Sequence, residues 1–330
     1  MMSVLVASAP QHGWPAAHRP RAASRRAWLS RNGARPAPAH HWSTLLAMAA
    51  LALMTAVSVV GLSVDDVYRA PKSVAAMLRG YDLVTLAVAV PVLAITLLPH
   101  FRQSVQAQLL RLAILGYAAY NYASYVFGTG FSTVFLLHDA AFTAATFALG
   151  FSAASLDLGR VYKSFRPSTP ARAIGSVLAL LAAGLGATWV FYSLRFTLTG
   201  QSPKESLLVL PEPNLHLAYV LDLTLLVPCY AVAAALLWRR ARWGYPMAAA
   251  LLVFSLVHEL NYVVALVFQS NAHIPGATAF DPQAIVIIAI ILAATLALFS
   301  GTRRQSPRVL PAQPPPGHGL SRRRGRWPRP

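Results

Sequence analysis

Along this chain apolar residues gather into long runs instead of alternating with polar ones. A helix that crosses a bilayer needs about 20 mostly apolar residues. Eight runs fit that description, at roughly 42–62, 81–98, 109–127, 131–152, 173–194, 215–238, 247–268 and 284–300. The third and fourth are parted only by Gly128-Thr129-Gly130, which predicts a tight antiparallel pair. Pro91 and Pro228 fall inside runs and predict kinks whose freed carbonyls neighbouring groups must satisfy. The pattern predicts an all-α integral membrane protein of about eight transmembrane helices. Its expected divisions are a basic disordered tail (1–41), spans one to four (42–152), a basic cytoplasmic linker (153–172), spans five to eight (173–300) and an Arg/Pro-rich disordered tail (301–330).

Composition strengthens this reading, with 56% hydrophobic and only 12% charged residues in a chain of 330. A soluble protein of that length needs more charge to cover its core. The net charge of +18 first points to nucleic acid, but its distribution argues against that. Residues 1–41 carry six arginines and no acid, and 301–330 carry eight and no acid, leaving 14 basic against 10 acidic residues between them. The basicity belongs to the tails, where it sets topology and favours contact with anionic lipid; nucleic acid is not expected as a partner.

With the N-terminus inside, Arg102, Arg111, Arg160, Lys163, Arg166, Arg172, Arg239, Arg240 and Arg242 fall on the cytoplasmic side. The opposite side has Arg69, Lys72, Arg79, Arg195 and Lys204. This asymmetry predicts a multi-pass plasma-membrane protein with both termini cytoplasmic and Trp42 and Trp238 as interfacial anchors. The Arg-rich, acid-free leader is also compatible with an organellar transit peptide or a start codon placed too early. Cys229 is the single cysteine, which excludes an intrachain disulfide, and it is expected as a small core residue.

Sliding the chain against itself by 140 positions superposes Asp82-Leu83 on Asp222-Leu223, Arg102 on Arg242 and Asn121-Tyr122 on Asn261-Tyr262. These polar matches are compatible with a 4+4 parallel internal duplication, with pseudo-twofold symmetry about the membrane normal. Coincidence between apolar helices of similar composition is the alternative. In the third span Tyr117, Asn121, Ser124 and Gly128 share a helical face, with Tyr125 beside it.

Ionisable groups within spans carry the functional expectation, because charge in hydrocarbon is costly. Asp82, Asn121, Tyr122, His138, Asp139, Asp222, His258, Glu259, Asn261 and Tyr262 all fall near the middle or in the outer half, so they are candidates for lining a substrate or ion cavity. The plain readings are interhelical hydrogen bonding for the asparagines and a water-facing rim for Asp82 and Asp222. His258-Glu259 begins like HExxH, but Tyr262 stands where the second histidine belongs, so no metal is expected. No Walker loop, GxSxG elbow or dinucleotide fingerprint appears, and no cofactor is expected.

The segments GYDLVTLAVAVP, LGYAAYNYASYVFG and YVLDLTLLVP, the last followed by LLWRRARWGYP, resemble a family of uncharacterised polytopic prokaryotic membrane proteins over roughly 67–151 and 215–253. The resemblance implies a membrane fold and no particular chemistry. It also implies uncharged residues where His138-Asp139 stand here. Three functions fit the residues. The first is a transporter-like protein with a polar cavity in the outer half for a small solute, cation or proton. The others are an intramembrane enzyme acting on lipid with a histidine and an acid, and a membrane receptor or scaffold.

Overall fold

A computed structural model describes residues 37–203 and 207–303; the expectations for the tails fall outside these residues. All regular elements among them are helices: α1 (Ala37–Ser63), α2 (Lys72–Leu97), α3 (Val105–Gly128), α4 (Phe135–Ala154), α5 (Leu158–Ser164), α6 (Ala171–Thr199), α7 (Glu212–Trp238), α8 (Gly244–Asn271) and α9 (Pro282–Ser300). Seven of these are long and apolar enough to cross a membrane. Large apolar side chains stand exposed along them, including Leu136, Phe147, Leu180 and Leu296, as suits a surface solvated by lipid.

Seven is close to the expected count of about eight, and the difference is α3, which is long enough but not apolar enough. It carries Gln106, Gln108, Arg111, Asn121 and four tyrosines. Its position supplies the reason: 14 of its 24 residues are buried, so most of its surface faces protein rather than lipid and need not be apolar. α3 packs on α2, α4 and α8.

Helix α2 also departs from expectation, starting at Lys72 instead of near residue 81. Lys72, Ser73 and Arg79 hide this first stretch from a search for apolar runs. Burial of Val74, Met77 and Leu78 holds it in place, and Gly80 lies so close to α8 that a Cβ there would meet the Ala265 backbone at 3.0 Å. Asp82 is therefore well inside the helix, ten residues or about 15 Å from its start.

Both proline-bearing helices contain one wide turn, Thr85–Ala89 in α2 and Asp222–Leu226 in α7, each ending two residues before its proline. Val90 N–H reaches Thr85 O and Val227 N–H reaches Asp222 O, five residues back. Proline has no N–H to continue the ladder, so the turn ahead of it re-registers and the helix bends.

Neighbour relations in α1–α4 recur in α6–α9. α2 touches α1 and α3, and α4 touches α1 and α3; α7 touches α6 and α8, and α9 touches α6 and α8. Across the middle, α3 packs on α8, α3 meets the first part of α7, and α8 meets the first part of α2. The connection 153–172 is ordered around α5, whose N-terminus is capped by Asp157 accepting from Arg160 N–H at 3.0 Å. Beyond α5, Phe165 bridges to Thr302, Arg166 N–H donates to Gly301 O and Arg303 N–H donates to Ser164 O, both at 2.8 Å.

Cys229 corrects the sequence reading: it is exposed on α7 rather than part of the core. A small, weakly polar side chain is as compatible with lipid as with a protein interior.

Candidate functional site

Two buried carboxylates organise the polar interior. Asp82 is 1% exposed and Asp222 5%, and each lies ten residues into its kinked helix. Asp222 opens its wide turn, whereas Asp82 precedes its own by three residues.

Around Asp82 every partner comes from α1–α4 and their loops. Tyr68, in the α1–α2 loop, donates to Oδ2, and Tyr125 OH lies between Oδ1 at 3.1 Å and Leu78 O at 3.0 Å. Burial, reinforced by the Asp82 charge, pushes the Tyr68 phenol well above its ordinary value, so it remains a donor. The His138 ring stacks on Tyr125 at 4.7 Å and stands 6.2 Å from Tyr122. His138 Nε2 has no hydrogen-bond partner. Gly61 makes room for the carboxylate, since a Cβ at that position would fall 2.1 Å from Asp82 Oδ2. Here glycine serves close approach, not a special backbone angle.

Around Asp222 the partners come from both sets of helices. Tyr120 of α3 donates to Oδ1 at 2.5 Å, and Trp189 Nε1 of α6 donates to Oδ2 at 2.9 Å. Trp189 stacks on Tyr219 at 4.4 Å. His258 of α8 meets the Tyr120 ring edge-on at 5.2 Å and is near enough to Asp222 to feel its charge.

A hydrogen-bonded chain lies between these groups. Asn261 Nδ2 donates to Asn121 Oδ1 at 3.0 Å, Tyr117 OH donates to Asn261 Oδ1 at 3.0 Å, and Thr85 Oγ1 lies 2.8 Å from Tyr117 OH. Asn121 and Asn261, which the offset of 140 superposes, therefore touch each other. Asn121 Nδ2 has no partner.

The remaining candidates are dispersed. His138 points inward while its neighbour Asp139 is exposed on α4, as residues about 100° apart on a helix must diverge. Glu259 is half-buried, within electrostatic reach of Asp281 and Asp222. Tyr262 is at the rim, donating to Asp281 Oδ2 at 2.8 Å, and does not share the fully buried setting of Tyr122. Among the described residues no three His, Cys, Asp or Glu side chains converge as metal ligands. His138 packs on Tyr125, which donates to Asp82, while Asp222 is bonded to Tyr120 and Trp189.

Sequence reasoning missed Gly61, Tyr68, Thr85, Tyr120 and Trp189. Tyr68 and Trp189 gave no signal, lying in a loop and in an ordinary apolar helix, and only contact with a carboxylate distinguishes them. Tyr120 lies one turn from Tyr117 on α3 and was within reach of a fuller reading of that face.

No family model, curated protein or solved structure matches the chain, so the site is read from its own geometry.

Proposed function

We propose that the protein is a proton- or cation-coupled carrier for a small solute. Asp222 supports this reading most directly. It is a buried carboxylate at the start of a wide helical turn, held by residues from both sets of helices. A carboxylate in a low-dielectric interior needs compensating positive charge. Its hydrogen-bond donors, Tyr120 and Trp189, are neutral, which leaves the role to His258 or to a proton or small cation from outside. Asp82 is in a similar position, because the nearby Arg79 is bound to Asp65 at 3.2 Å and to Leu62 O at 2.9 Å. Wide turns beside intramembrane acids are typical of helices that bind or conduct ions.

In this reading α3 is an eighth crossing. Its 24 residues span about 36 Å, and it runs back along α4 after a short connection. Eight crossings would put both termini on one side, and the distribution of basic residues favours the cytoplasmic side of a plasma membrane. The recurring neighbour relations and the Asn121–Asn261 contact support a 4+4 duplication, because equivalent residues meet only at a symmetry axis. The polar atoms left unpaired at His138 Nε2 and Asn121 Nδ2 fit a site that admits water or an ion in another conformation.

Proteoliposomes containing the purified chain test the proposal. Wild type should move protons or a monovalent cation with at least one solute of a broad panel. Asp222→Asn should abolish coupling, and Asp82→Asn should weaken it. An absence of flux in wild type, or flux untouched by either substitution, overturns the reading.

A further inference from the structure

Two clefts lie at the opposite end of the bundle from the buried carboxylates, where α1 and α4 meet the start of α3. The larger, about 420 Å³, is lined by His41, Leu45, Met48, Arg102, Gln103 and Arg111. A smaller one continues beneath it to Ser43 and Ser152, whose hydroxyls lie 2.8 Å apart.

Arg111 links the two. It is only 4% exposed, and one guanidinium nitrogen caps the last turn of α2 by donating to Thr96 O at 2.5 Å. Its Nε has no partner, and among the described residues no carboxylate lies within ion-pair distance. Arg102 is close enough for the two positive charges to repel. A buried guanidinium held next to another cation, with a donor unused, is unfavourable unless an anion completes the site.

No side chain of 1–41 or 301–330 supplies that anion, since those segments contain no Asp or Glu. The walls indicate the rest of the ligand. Leu45 and Met48 are exposed below the cationic rim, so the cleft pairs a charged mouth with an apolar flank along α1. Phosphate is the anion that guanidinium groups hold best, through paired N–H donors. Basic pockets between helices at a membrane surface suit anionic lipid headgroups.

We propose that Arg111 and Arg102 form a binding site for a phosphate group, presented by the headgroup of an anionic phospholipid whose acyl chain lies along Leu45 and Met48. The site is separate from the carboxylate clusters and does not depend on the carrier reading.

Hydrogen–deuterium exchange on the full-length chain provides a local readout that lipid bound to the Arg-rich tails does not produce. In nanodiscs of phosphatidylcholine, added phosphatidic acid should protect 41–48 and 102–111. Arg111→Gln or Arg102→Gln should raise the half-saturating fraction about tenfold, as expected for loss of a charged hydrogen bond. Arg172→Gln, a basic substitution outside the cleft, should leave it unchanged. Arg102 is exposed, so its variant remains informative if Arg111→Gln fails to fold. Inorganic phosphate in pure phosphatidylcholine discs forms a second arm, and equal protection there keeps the site but assigns it to a soluble phosphate compound. Absence of protection with either ligand, or protection that persists in both arginine variants, overturns the proposal.

Discussion

Asp82 and Asp222 each lie ten residues into a helix with one wide turn ahead of a proline, yet their surroundings differ in origin. Every group holding Asp82 belongs to the first four-helix set and its loops, namely Tyr68, Tyr125 and the adjacent His138. Asp222 is held by Tyr120 of the first set and Trp189 of the second, with His258 beside it. One carboxylate fastens a set to itself, and the other joins the sets. Similar chemistry thus has different mechanical meaning: movement between the sets would leave the Asp82 cluster and the Trp189 bond intact and break the Tyr120 bond to Asp222.

Substitutions around the two acids test this contrast. The largest effect should come from Gly61→Val. The new side chain occupies the space of the Asp82 carboxylate and should destabilise the protein by about 3 kcal/mol or more through overpacking and loss of buried hydrogen bonds. Thermal unfolding in detergent measures this, and a near-normal midpoint would show that the Asp82 cluster is not a fastening. Next, Tyr68→Phe and Trp189→Phe each remove one donor to a buried carboxylate, with an expected loss of about 2 kcal/mol in stability. Both bonds lie within one set, so these two variants should chiefly lower stability, whereas Tyr120→Phe, which removes the bond between the sets, should alter flux in proteoliposomes. The reverse result breaks the contrast. An Asn121→Leu and Asn261→Leu double-mutant cycle should give a coupling of about 0.6 kcal/mol, the usual scale for polar contacts between membrane helices. The smallest change should follow Asp139→Asn, within about 0.5 kcal/mol, since that acid is exposed on α4.

The architecture was largely legible in the sequence because lipid demands long apolar helices and seven of them comply. α3 was legible too, as the run 109–127, though the rule does not account for Arg111, Asn121 and the tyrosines, which its protein neighbours permit in place of lipid. The same rule concealed the true start of α2, which placed Asp82 at a rim instead of in the interior. Offset matching paired Asn121 with Asn261, whose contact it did not anticipate, and Tyr122 with Tyr262, of which one is buried and the other at the rim. Adjacency in sequence was a poor guide to function for His138 and Asp139, because successive helical side chains face different ways. Trp189 required three dimensions, since nothing near it in sequence distinguishes it from other apolar helix residues.

The short antiparallel bridge at Phe165 and Thr302 has a mechanical consequence. With Arg166 and Arg303 bonded alongside it, the end of the last helix is stitched to the strap that joins the sets, closing the chain into a ring at that face. Prying the sets apart there would break several backbone hydrogen bonds at once, at about 1 kcal/mol each. The opposite face is tied by side chains instead: Asn214 Nδ2 donates to Gly128 O at 2.7 Å and Gln269 Nε2 to Ser73 O at 2.9 Å. The two sets are therefore pinned by backbone at one face and latched by two amide side chains at the other.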